Sequence, residues 1–116
     1  MKIKLILLTL ISGMLMIGCT YDVEDTCDTS NVTYKTTITG LLTSYECYTC
    51  HAGTAPLGNI NLEGYANVKA QVTAGRLFGA INHSPGFSPM PDGRPKMNDC
   101  DISKFKAWID AGAPDN

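Results

Sequence analysis

Basic residues are too few and too scattered for a nucleic-acid partner. Nine Lys and Arg stand against eleven Asp and Glu in 116 residues, and no cluster of them could neutralise a run of phosphates. Histidine occurs only twice. One Cys-x-x-Cys is present without a second, so donors at finger-like spacing for a structural zinc site are missing. No apolar run is long enough to serve comfortably as a permanent membrane span. Internal repeats, low-complexity blocks and signs of a second domain are also lacking. No acid/base pair of the kind that activates a substrate is recognisable, so the expectation is a protein that is not an enzyme.

The chain opens with a targeting pattern. Lys2 and Lys4 form a positive n-region, and Leu5 through Ile17 form an apolar h-region. The run ends in Met16-Ile17-Gly18-Cys19, which resembles the bacterial lipobox, a small residue followed by a cysteine. That resemblance implies removal of residues 1–18, acylation of Cys19, and a chain anchored by lipid on the periplasmic side of a bacterial membrane. Loss of Lys2 and Lys4 leaves seven basic against eleven acidic residues, an acidic mature chain of 98 residues. That length suits one small domain. Asp22, Glu24, Asp25 and Asp28 cluster directly after Cys19 in a stretch poor in large apolar residues. Residues 19–31 therefore read as a solvated tether, and 32–116 as the domain.

Four helical stretches are expected and no strand pair. Tyr34, Ile38, Leu41, Leu42 and Tyr45 fall at helical spacing, although Gly40 and several threonines make that segment a weak helix former. A second stretch runs from about Gly64 to Ala74, with Tyr65, Val68 and Val72 on one face and Gly75 as its stop. A short third covers Arg76 to Ile81. The last is the clearest: Asn98 is a good N-cap, and Asp99 and Asp101 put negative charge in the first turn. Ile102, Phe105, Trp108 and Ile109 form its apolar stripe, and Gly112 and Pro114 end it. Between the third and fourth helices, residues 84–93 form a loop dense in Pro and Gly, of the kind that something else holds in shape. The fold class is all-α.

Cys47-Tyr48-Thr49-Cys50-His51 is C-x-x-C-H, the attachment signature for haem c. The spacing follows from the chemistry. Two thiols separated by two residues reach both vinyl groups of one porphyrin, and the next histidine is directed at the iron from the same side. A dithiol redox site is the competing reading, but it expects an α/β context that the helical pattern does not supply. A second axial ligand must come from elsewhere. Removal of the signal segment leaves Met90 and Met97 as thioether donors. Met97 precedes the N-cap Asn98, with Ile102 at N4, so a hydrophobic staple already gives it a structural role. Met90 lies between Pro89 and Pro91, with no helical face to fill, and is the preferred distal ligand. His83, the other histidine, is expected to be exposed or hydrogen-bonded; as a ligand it would give a bis-histidine haem of lower potential.

Cys27 and Cys100 remain. In an exported chain two spare thiols are expected to pair rather than stay free. The bridge would close a loop of more than seventy residues and stabilise by roughly 4 kcal/mol in the chain-entropy model.

Taken together these residues resemble the small monohaem c-type cytochromes of the class I fold. The matching parts are Cys47 to His51, Gly75-Arg76-Leu77-Phe78-Gly79, Ser88-Pro89-Met90-Pro91 and Trp108-Ile109-Asp110-Ala111-Gly112-Ala113. The resemblance implies that Cys47 and Cys50 attach one haem, that His51 and Met90 are its axial ligands, and that terminal helices cross beside it. It also makes Pro56 the candidate whose carbonyl orients the His51 ring. The implied function is electron transfer between a redox donor and acceptor. Two alternatives stay open: haem-based ligand binding or peroxidatic chemistry at a labile sixth position, and a haem subunit of a larger membrane oxidoreductase.

Overall fold

A computed structural model describes residues 26–116. The signal segment, Cys19 and the start of the tether lie outside the described residues. Among the described residues the regular structure is helical, without strands. A π-helical turn, Tyr34–Ile38, runs directly into α1, Thr39–Ser44. A one-turn helix α2, Cys47–Cys50, and a 3₁₀ turn, Leu57–Asn59, follow. Three further helices are α3, Tyr65–Thr73, α4, Arg76–Ile81, and α5, Asp99–Asp110.

The two ends of the domain pack on each other. Trp108, Phe105, Ile38, Leu42 and Val68 are the largest fully buried side chains, drawn from α5, the first helical segment and α3. The Tyr34 ring stacks on Trp108 at 5.7 Å between centroids and meets Tyr65 edge-on at 5.2 Å. Truncating Trp108 would cost about 3–5 kcal/mol, the usual range for a buried aromatic. Its indole N–H donates to the Pro114 carbonyl at 3.0 Å, and the Tyr65 hydroxyl donates to Ala113 at 2.8 Å. These bonds fold the segment after α5 back over the core.

The helix over 98–112 forms as expected. The Asn98 side chain accepts from the Asp101 N–H at 2.8 Å, and Ile102, Phe105 and Trp108 are buried, while Ile109 is half-buried. Asp101 in turn accepts from the Tyr45 hydroxyl at 2.9 Å and from Lys104 at 3.1 Å. Burial pushes the Asp101 carboxyl up, but these bonds and that from Asn98 outweigh it and hold the group below the ordinary range.

The first helix departs from its expected form. It opens as a π turn, with the Thr37 and Ile38 N–H groups both donating to the Thr33 carbonyl at 3.0 Å. It also stops one residue early, at Ser44, with Tyr45 as the C-cap. No side chain of its own caps its start. Instead Asn116 accepts from the Tyr34 N–H through its side chain at 2.8 Å and from the Lys35 N–H through its backbone at 2.9 Å. A segment rich in threonine thus becomes helical because distant groups satisfy its exposed N–H groups. Gly75, with φ 69°, sits in the left-handed conformation that ends α3 and turns the chain into α4.

Cys27 and Cys100 lie at disulfide distance, with Cα atoms 5.4 Å apart. Cys27 falls in the range read as tether, so the end of that segment is fastened to the first turn of α5.

Candidate cofactor site

A cleft of about 770 Å³ opens between two walls, within the roughly 300–1,000 Å³ typical of small-molecule and cofactor sites. Cys47, Cys50, His51, Leu57 and Ile60 line it from the stretch of chain around α2, its first wall. Ala80, Phe87, Met90, Pro91 and Arg94 line it from α4 and the loop that follows, its second wall, and Leu42, Leu77, Ile81, Met97 and Phe105 contribute core side chains.

The attachment side is built locally. In α2 the i, i+3 relation sets Cys47 and Cys50 on one face, and both thiols are free. Tyr48, between them, packs against the core instead. Burial pushes the Cys47 thiol up from its ordinary pKa, the opposite of the depressed thiol that makes a Cys-x-x-Cys a dithiol redox centre. Among the described residues no three His, Cys, Asp or Glu side chains converge on a point that would hold a metal ion.

His51 follows α2 and is clamped twice. Its carbonyl accepts from the Leu62 N–H at 2.7 Å, and its Nδ1 lies 3.1 Å from the Ile60 carbonyl. A carbonyl can only accept, so Nδ1 carries the proton and the Nε2 lone pair is left for a metal. The orienting carbonyl is that of Ile60 and not of Pro56. The Pro56 carbonyl accepts the Asn59 N–H at 3.1 Å, at the start of the 3₁₀ turn. Gly58 and Asn59, both at positive φ (64° and 56°), then reverse the chain and bring Ile60 back beside the ring.

The second wall is held by contacts among α4 and the loop that follows it. The Met90 N–H donates to the Ala80 carbonyl at 3.0 Å, and His83 Nε2 donates to the Met90 carbonyl at 3.0 Å. His83 is thus exposed and bonded to the loop, and it is not among the cleft-lining residues. Gly79 explains how close that loop lies to α4: a Cβ there would meet the Phe87 ring at 2.5 Å. Met97 is buried in the same core cluster as Ile102 and also lines the cleft, so both methionines border it.

The chain's donor set fits a haem. The cleft lining offers two free thiols, an imidazole with its lone pair held available, and a thioether. The remainder is largely apolar, which suits a porphyrin ring. Gln71 also lines the cleft, and its buried Oε1 has no hydrogen-bond partner. An amide oxygen is an acceptor, so this atom calls for a hydrogen-bond donor. No family model matches the chain, and no curated protein or solved structure is significantly similar to it.

Proposed function

We propose that the chain is an exported, lipid-anchored electron-transfer protein with the class I cytochrome c fold, carrying one covalent haem c with His51 and Met90 as axial ligands. The observation that carries this reading is the cleft itself. The three chemistry-bearing residues of C-x-x-C-H border it, and the Pro-framed methionine borders it too.

Haem c, when bound, supplies a one-electron couple at its iron. The chain's residues attach, orient and enclose it. Cys47 and Cys50 would hold the haem as thioethers, each thiol adding its sulfur and its hydrogen across one vinyl group. No electrons are gained or lost, so attachment requires the two cysteines as free thiols and not as a disulfide. The Ile60 carbonyl fixes the His51 tautomer, and His51 and Met90 would hold the iron. Held by both side chains, it would supply electron exchange with redox partners at the cleft mouth rather than a site for substrate.

Lys2, Lys4, the apolar h-region and the Gly18-Cys19 junction support export and lipidation. Cys19→Ser should release the protein from membranes without altering its visible spectrum; a variant that still pellets with them would refute this anchor. The haem reading is tested by acid-acetone extraction of the denatured mature protein. One haem should remain with the chain and appear in its mass, whereas a haem that extracts freely would refute the proposal.

A further inference from the structure

Where the two walls meet the solvent, one ion pair joins them. Arg94 Nη2 lies 2.5 Å from Glu46 Oε2, and both residues line the cleft. Glu46 immediately precedes Cys47, at the start of the attachment turn. Arg94 belongs to the Met90 loop, and its N–H donates to the Pro91 carbonyl at 3.3 Å. Asp92 is another carboxylate at the cleft, but it sits in the same loop as Arg94 and so cannot tie that loop to the first wall.

Glu46 also occupies an unfavourable backbone position. Its φ of 56° and ψ of 30° place it in the left-handed region, where glycine or asparagine would be the inexpensive choice.

We propose that Glu46 and Arg94 are positioning residues that close the cleft mouth and hold the Met90 loop against the attachment turn. The pair acts through Met90: it limits how often that wall swings outward and exposes the position Met90 faces. The inference rests on the cofactor reading for its consequence at iron, but not for the latch itself. Both side chains are more than half exposed, so the effect is modest and sensitive to salt.

The test uses the mature holoprotein and two readouts. Amide hydrogen exchange at Met90 and Arg94 reports loop opening directly. Imidazole affinity of the ferric protein reports access to the iron. E46Q and R94Q should each raise both by about two- to five-fold, the range an exposed ion pair gives. The double variant should exceed neither single one, and the charge swap E46K/R94E should return toward wild type. At about 1 M salt the differences should vanish. E46G removes the backbone strain, so it should melt no lower than wild type and yet open like E46Q; a purely structural role predicts no opening. Additive effects, differences that persist in high salt, or unchanged exchange would overturn the latch. If exchange responds as described but imidazole affinity does not, the latch stands and Met90 ligation is what fails.

Discussion

The two walls of the cleft differ in how much regular structure holds them. From Cys47 to Ile60 the attachment wall is almost wholly local: one helical turn, one 3₁₀ turn and a carbonyl nine residues away fix both thiols and the imidazole. The Met90 wall has no regular structure between α4 and α5. It is fastened at scattered points, to Ala80, to His83 and across the mouth to Glu46. The first wall is thus held by short helical turns, while the second, without regular structure, is held by contacts that can be released one at a time. Function calls for this difference if the attachment is permanent and the methionine bond is the adjustable one.

The largest expected effect comes from breaking the first wall. Replacing Cys47 and Cys50 together by serine should abolish covalent attachment, so that any haem extracts into acid-acetone. Retention of haem by that variant would show that the thiols do not form the link. On the other wall, Gly79→Ala drives a methyl group into the Phe87 ring. It should cost about 1–3 kcal/mol, as overpacking does, and thermal melts would measure it. The same variant should speed exchange of the Met90 amide more than that of Leu62, which bonds to His51 on the attachment wall. Equal loosening of both walls would remove the distinction between them. His83→Ala is gentler still. It deletes the bond to the Met90 carbonyl and should cost about 0.5–1.5 kcal/mol, while leaving the ligation spectrum intact. A changed spectrum would make His83 a ligand rather than a brace.

How far the sequence revealed each wall follows from the same contrast. The attachment motif is contiguous, so its spacing carries its chemistry without any knowledge of the fold. The last helix was equally plain, because Asn98, Asp101 and the stripe from Ile102 to Trp108 encode cap, charge and buried face within one segment. The start of the first helix could not be read, since its N–H groups bond to Asn116, some eighty residues away. The partner of His51 was misassigned to Pro56 because the reversal through Gly58 and Asn59 decides which carbonyl reaches the ring. Met90 was singled out by its two flanking prolines, but its anchors at Ala80 and His83 and the Glu46–Arg94 pair depend on tertiary contacts. Only the juxtaposition of oppositely charged residues at 46 and 94 could have signalled that pair, and nothing in the sequence relates those positions.

The central claim is that one haem sits between these walls, with His51 on one side and Met90 on the other. The ferric absorption spectrum of the wild-type holoprotein, compared with Met90→Ala and Met97→Ala, tests it most directly. The account predicts a thioether-to-iron band in wild type that Met90→Ala abolishes, with a fall in reduction potential, since methionine ligation raises it. Met97→Ala should keep the band and lose only stability, about 2–5 kcal/mol for a buried methionine. A band that survives Met90→Ala and disappears with Met97→Ala, or a wild-type spectrum without it, would contradict the account.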